Sequence, residues 1–197
     1  MSEKLRQLVL CPVQSDDLVS ASQLHQTLAE VGLIGANVDS AHPYHFYIGP
    51  QFLQHVSFMG CAPAIEFAPK QDGVLSWSEF TFIYTPPTFE APQYFADFDM
   101  AKPACPSCHK RLSLQHLTYK DMKSELTCTA CSTTASLCKW DWREFGGCGR
   151  QFVFIANVYP KEGIPSDSLL NRLQQLTGFG WRYFYYYGEL PNVTTTA

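Results

Sequence analysis

Charge is scarce in this 197-residue chain: charged residues make up 16% of it, against about 25% in an average soluble protein. With 46% hydrophobic and 14% aromatic residues, global disorder is excluded, because apolar surface is abundant enough to offset the entropy of ordering. Long hydrophobic runs are missing as well. No stretch approaches the roughly 18 apolar residues that a transmembrane helix needs. Near the start, Leu8-Val9-Leu10-Cys11 is too short for the apolar segment of a secretory leader, so a cytoplasmic location without a membrane partner is expected. Common catalytic signatures are absent too. None of the 12 glycines is followed by lysine, so no loop of the Gly-Lys-Ser/Thr type can cradle a nucleotide phosphate, and a P-loop ATPase is excluded. There is no Gly-x-Ser-x-Gly, no His-Glu-x-x-His and no Gly-x-Gly-x-x-Gly.

What is present is cysteine: eight of them, unevenly placed. Four form two Cys-x-x-Cys pairs, Cys105/Cys108 and Cys128/Cys131, with 19 residues between Cys108 and Cys128. Each pair makes a tight turn that aims two thiolates at one point, and a hairpin between them brings the turns face to face. This spacing predicts a tetrahedral zinc site held by Cys105, Cys108, Cys128 and Cys131. Four thiolates saturate the ion and leave no position for water, so the expected Zn²⁺ is structural. A thioredoxin-like redox motif would instead open a helix in a β-α-β setting. His109 and Ser132 occupy the positions after each pair where a left-handed glycine is common, and His is among the residues enriched at positive φ. Cys11, Cys61, Cys138 and Cys148 read as buried, apolar thiols, with Cys138 and Cys148 as nearby substitutes for a ligand.

The remaining pattern predicts an α+β fold: a mixed sheet built from β-α-β-like units, with a zinc-ribbon-like hairpin inserted at residues 101–135 between core segments 1–100 and 136–197. Gln7 to Val13 reads as a buried strand. A cap at Ser15-Asp16-Asp17 then starts a helix carrying Leu18, Ala21, Leu24, Leu28 and Val31 on one stripe, which Gly32 ends. Strands are expected at 44–48, 65–68 and 77–84, and a short helix after Pro50 with Phe52, Leu53, Val56 and Met59 on one side. Residues 85–103, rich in proline, read as irregular. In the inserted hairpin, Leu112 and Leu114 alternate with polar residues, a turn falls at 120–123, and Ser132 to Trp140 could add a third strand. A strand at 151–158, a helix capped by Ser166-Asp167 with a leucine stripe ending at Gly178, and an aromatic strand at 181–187 complete the chain. Gly146-Gly147-Cys148-Gly149-Arg150 reads as a flexible turn.

Charge is distributed unequally. Residues 101–150 carry eight basic and four acidic side chains, a net +4, and the rest of the chain carries −8. A basic hairpin with Tyr119, Trp140 and Trp142 beside it could meet a phosphate backbone and stack on bases. The acidic remainder opposes this, and the two indoles are expected to anchor the hairpin instead, so a protein partner is favoured over nucleic acid. The expected role is a macromolecular interaction module with a structural zinc. The alternative is a small enzyme with a pocket between core and hairpin, in which Cys61 would meet His45 or His55.

Four segments carry a family resemblance: Phe58-Met59-Gly60-Cys61-Ala62-Pro63, Asp141-Trp142-Arg143, Asn157-Val158-Tyr159-Pro160 and Trp181-Arg182-Tyr183-Phe184-Tyr185. Together with the paired Cys-x-x-Cys motifs they resemble a small family of bacterial proteins of about this length, some of which carry the label "sugar ABC transporter ATPase". The resemblance covers most of the chain and implies no particular fold, activity or substrate. The missing P-loop contradicts the ATPase label. In that pattern Cys148 stands where a non-ligand is expected.

Overall fold

Apolar side chains on both faces of its strands determine how this chain folds. The computed structural model describes residues 4–59, 65–69, 76–97, 99–114 and 125–191. In chain order the elements are β1 (Leu5–Pro12), α1 (Ala21–Glu30), β2 (Ile34–Asn37), β3 (His45–Ile48), α2 (Phe52–His55), β4 (Val56–Phe58), β5 (Phe82–Tyr84) and β6 (Gln93–Ala96). They continue with β7 (Glu125–Thr127), β8 (Thr134–Ser136), β9 (Gly146–Gly149), β10 (Val153–Ala156), β11 (Gly163–Pro165), α3 (Asp167–Thr177) and β12 (Trp181–Gly188). Single 3₁₀ turns occupy Leu137–Lys139 and Arg143–Phe145.

Six strands form the main sheet in the order β12-β1-β10-β5-β3-β2. Every neighbouring pair in it is antiparallel, which corrects the expected mixed sheet. The main-sheet strands on either side of α1, and those on either side of α3, do run the same way, but never side by side. β1 and β2, on either side of α1, are parallel with β10, β5 and β3 between them, and β10 and β12, the main-sheet strands on either side of α3, are parallel with β1 between them. The strand-helix-strand order visible in the sequence dictates parallel direction, not adjacency. Three strands fill the first gap and one fills the second, each antiparallel to its neighbours.

Period-two alternation then assigns the faces. Leu8, Leu10, Ile83, Val153, Ile155 and Tyr185 point to the helices, where Leu24 and Leu28 of α1 and Leu169 and Leu173 of α3 close over them. Val9, Cys11, Phe82, Tyr84, Phe154 and Phe184 point the other way, against Phe80, Phe95 and Phe152. Burial on both sides explains why these strands read as continuous apolar runs. The two helices are joined at the surface by Arg172 Nη2 donating to Glu30 Oε1 at 2.7 Å.

Both helices have serine caps. Ser166 Oγ accepts from Leu169 N at 3.2 Å, and Gly178, at φ +86°, ends α3 in the left-handed conformation as expected. α1, however, begins at Ala21 behind Ser20, not at Ser15-Asp17. The reason lies far away in sequence. Gln151, buried, accepts from Val19 N at 3.1 Å and donates to Val19 O at 2.8 Å, holding that segment extended until the helix can start.

Other expectations shift for comparable reasons. α2 is one turn, after which the chain enters β4 and pairs with β11, so Leu53 and Met59 are exposed rather than packed on a helix face. Residues 65–68 form no strand, and residues 77–80 turn before β5. That turn is held by Asn157, at φ +60°, whose Nδ2 donates to Trp77 O and Phe80 O at 2.7 and 2.6 Å. The proline-rich stretch contains a strand, β6, and the glycine cluster is not a flexible turn but its antiparallel partner β9. Gly147 lies so close beneath the Phe184 ring that a Cβ there would collide with it.

Candidate metal centre

The two Cys-x-x-Cys segments adopt the same backbone, built from the same hydrogen bonds. In the first, Cys105 N donates to Lys110 O at 2.9 Å and His109 N to Cys105 O at 3.0 Å; in the second, Cys128 N donates to Thr133 O and Ser132 N to Cys128 O, both at 2.9 Å. Ser107 N and Ala130 N each point at the first sulfur of their own turn, at 3.4 Å. His109 and Ser132 both sit at φ 59°. The left-handed position expected there is thus filled by non-glycine residues whose backbone N–H closes the turn.

Pairing at the base of each turn fixes the direction of the thiols. Ala104 bridges Arg111, and Thr127 pairs with Thr134 in the β7–β8 hairpin. The described hairpin therefore encloses the second cysteine pair itself, and β8 ends at Ser136 instead of continuing to Trp140. The expected turn at 120–123, with Tyr119 before it, lies outside the described residues.

These two turns face each other and bring four sulfurs together. Cys105 Sγ lies 3.7 Å from Cys131 Sγ, and Cys108 Sγ lies 3.6 Å from Cys128 Sγ. All four lie within 4.8 Å of one another. A tetrahedron with metal–sulfur distances of about 2.3 Å has edges of roughly 3.8 Å. The donor set and its spacing therefore fit a metal ion.

Electrostatics give the same answer. The Cys131 thiol is drawn down to about 6 by hydrogen bonds from the Thr133 hydroxyl and backbone. Cys128 is lowered by the backbone N–H groups of Ala130 and Cys131. Cys108 goes the other way, to about 11. The Lys110 backbone pulls it down, but desolvation and the neighbouring sulfurs of Cys131, Cys128 and Cys105 outweigh that pull. Crowded sulfurs cannot all ionise unaided, and a divalent cation is the group that would let them.

Behind the cluster stands a small apolar core of its own, with Tyr94, Ala96, Ala101, Leu114, Leu126, Leu137, Trp140 and Trp142. Trp140 and Trp142 are 3% and 2% exposed. Their indole N–H groups donate to Ala135 O and Leu137 O at 3.3 and 2.8 Å. Both are anchors, as the sequence indicated, and neither is free to stack on a base.

Cys138 and Cys148 are where sequence reasoning fell short. They are joined as a disulfide, with Cα atoms 5.1 Å apart, and Cys138 is exposed. Nothing in a ten-residue separation announces this; it arises because the 3₁₀ turn after β8 comes to rest beside β9. Cys11 does sit in the core as expected, and burial pushes its thiol up to about 12 against the weaker pull of Arg182. Cys61 lies outside the described residues, so its pairing with His45 or His55 does too. His55 Nε2 donates to Val31 O at 2.7 Å. His45 packs among Trp77, Phe82 and Tyr84, and burial, followed by the nearby His42, lowers it to about 4, which keeps it neutral at pH 7.

Comparison with protein-family models, curated proteins and solved structures found no match for this chain. Among the described residues, no helix is long and apolar enough to cross a membrane.

Proposed function

We propose that Cys105, Cys108, Cys128 and Cys131 hold a structural Zn²⁺ that staples a ribbon-like lobe, residues 101–135, onto an α+β core, and that this lobe is a docking module for another cytoplasmic protein. The observation that carries this reading is the sulfur tetrahedron, with Sγ–Sγ separations of 3.6 and 3.7 Å between the two turns. Zinc favours four soft thiolates in this arrangement, and a closed set of four leaves no site for a reacting water. Lys102, Lys110 and Arg111 are exposed around the first turn, which suits an acidic protein surface. The burial of Trp140 and Trp142 argues against nucleic acid, because neither indole beside the cysteine turns is left to stack on bases.

Native mass spectrometry tests the metal. One zinc per chain is expected, lost in Cys105→Ser; no metal, or undiminished metal in the variant, would overturn the assignment. Binding to single-stranded and duplex oligonucleotides at physiological salt tests the partner class, and none is expected. Micromolar affinity with a log–log salt slope of roughly −3 to −4 would place nucleic acid first.

A further inference from the structure

Cys138 and Cys148 lie outside the sulfur cluster, with Cys148 packed against the edge of the lobe's apolar core. They line a cleft of about 480 Å³ where the end of β8 meets β9 and β12, a volume in the range of small-molecule sites. We propose that the Cys138–Cys148 disulfide is a thiol–disulfide exchange site whose co-reactant is an anionic low-molecular-weight thiol held in this cleft.

Accessibility is the first ground. Cys138 is exposed on its 3₁₀ turn, whereas Cys148 is half-buried in β9, so an incoming thiolate meets Cys138 first. Exposed disulfides are the exchangeable ones. The second ground is that the bond is not needed to hold its own segment. Between the two cysteines, Trp140 and Trp142 are buried and hydrogen-bonded. Asp141 is bridged to Ala104 through hydrogen bonds of 2.9 and 3.2 Å, and β9 is paired along its length with β6. The disulfide can open while its two halves stay in place, which is what a reversible pair requires.

Charge names the co-reactant. Lys139 and Arg182 line the cleft, and among the described residues no acidic side chain does. Arg182 is fixed there by Nη2, which donates to Arg143 O and Gly146 O at 2.8 Å each, and guanidinium donors remain for a carboxylate. In the forward step a thiolate forms a bond to Cys138 Sγ, the Cys138–Cys148 bond breaks, and Cys148 leaves as thiolate. A second thiolate attacks the sulfur of the bound small thiol, releases it as a symmetrical disulfide and leaves Cys138 as thiolate. Both protein thiolates then take protons from water. The small thiols lose two electrons and the protein disulfide gains them; the reverse sequence re-forms the bond with the small disulfide as oxidant.

The full chain should be equilibrated in buffers of reduced and oxidised glutathione, trapped by alkylation and mapped by mass spectrometry. The expected result is a single reversible two-electron transition at Cys138 and Cys148, with circular dichroism unchanged. Peptide mapping reads these two residues separately from the sulfur cluster, so the outcome does not depend on whether a metal is bound. In Cys148→Ser, one glutathione should be captured on Cys138; should that variant not fold, the wild-type titration decides. Glutathione should reduce the bond about tenfold faster than its diethyl ester, after normalisation to an uncharged small disulfide, and the ratio should fall towards one in Lys139→Gln/Arg182→Gln. A bond that never forms in oxidising buffer, or that opens only when the protein unfolds, overturns the exchange site. Equal rates for glutathione and its ester overturn the anionic class.

Discussion

The six-stranded sheet and the four-cysteine lobe are held together by different physics. In the sheet, alternate residues enter one of two apolar layers, and stability rises with every Phe and Leu removed from water. The lobe has strands of three residues, β7 and β8, and, among the described residues, an apolar cluster about a third the size of the sheet's two layers together. So small a core leaves it dependent on a point constraint, the four sulfurs. Distributed burial tolerates the loss of one contact; a point constraint does not.

Metal removal should break this comparison most visibly. Structural zinc sites carry apparent binding free energies of roughly 10–16 kcal/mol, far more than the lobe's own packing can replace. Excess chelator should abolish amide protection over residues 103–114 and 125–136, as read by hydrogen exchange, while β1, β10 and β12 stay protected. Loss of protection throughout the chain would show a single cooperative unit.

Core truncations should sharpen the contrast from both sides. Phe154→Ala, at a fully buried position facing Phe95 and Tyr84, should cost about 3–5 kcal/mol of global stability in urea melts, without changing metal content. Trp142→Ala should cost a similar amount locally. Its effect should appear as faster exchange in β7 and β8, with the urea midpoint of the sheet nearly unmoved. A large midpoint shift would mean that the lobe supports the sheet.

How much of this was legible in advance follows the same division. The cysteine turns could be read because their chemistry is local: two sulfurs three residues apart, then a left-handed residue. β1 and β10 could be read because burial on both faces leaves an apolar run, and β12 because of its aromatic residues. Sheet order could not, since the antiparallel strand between β1 and β5 is supplied from 70 residues further on. β6 and β9 were hidden by prolines and glycines that suit this particular pair: Gly147 is small because Phe184 covers it. The start of α1 depends on Gln151, and the disulfide on where the 3₁₀ turn settles. Each of these is a tertiary decision that overrides a local signal.

Acid should act on the sheet side through His45. Its folded-state value near 4 lies below the ordinary 6.5, so the unfolded chain binds the proton more readily. Stability is therefore full above about pH 6.5 and falls as pH drops from there towards 4. Allowing for partial exposure, the loss should be about 1–2 kcal/mol. His25, also lowered by burial, works in the same direction. His45→Phe should flatten the profile of urea midpoints between pH 4 and 6.5; an unchanged slope would remove His45 as its source.

The smallest expected effect concerns the caps. Ser166 Oγ satisfies one of the orphan N–H groups at the start of α3, that of Leu169. Ser166→Ala removes that acceptor and should cost about 1 kcal/mol, whereas Ser166→Asp should recover most of the loss by capping and by placing a negative charge at the helix N-terminus. Ser20 does the same for α1 through Gln23 N at 3.2 Å, yet α1 is additionally held by the Gln151 bonds to Val19 just before it. Ser20→Ala should therefore cost less than Ser166→Ala in thermal melts of the whole chain. If the order were reversed, the bonds from Gln151 would not be what sets the start of α1. The reason for the displaced cap would then have to be sought in the packing of Leu24 and Leu28 instead.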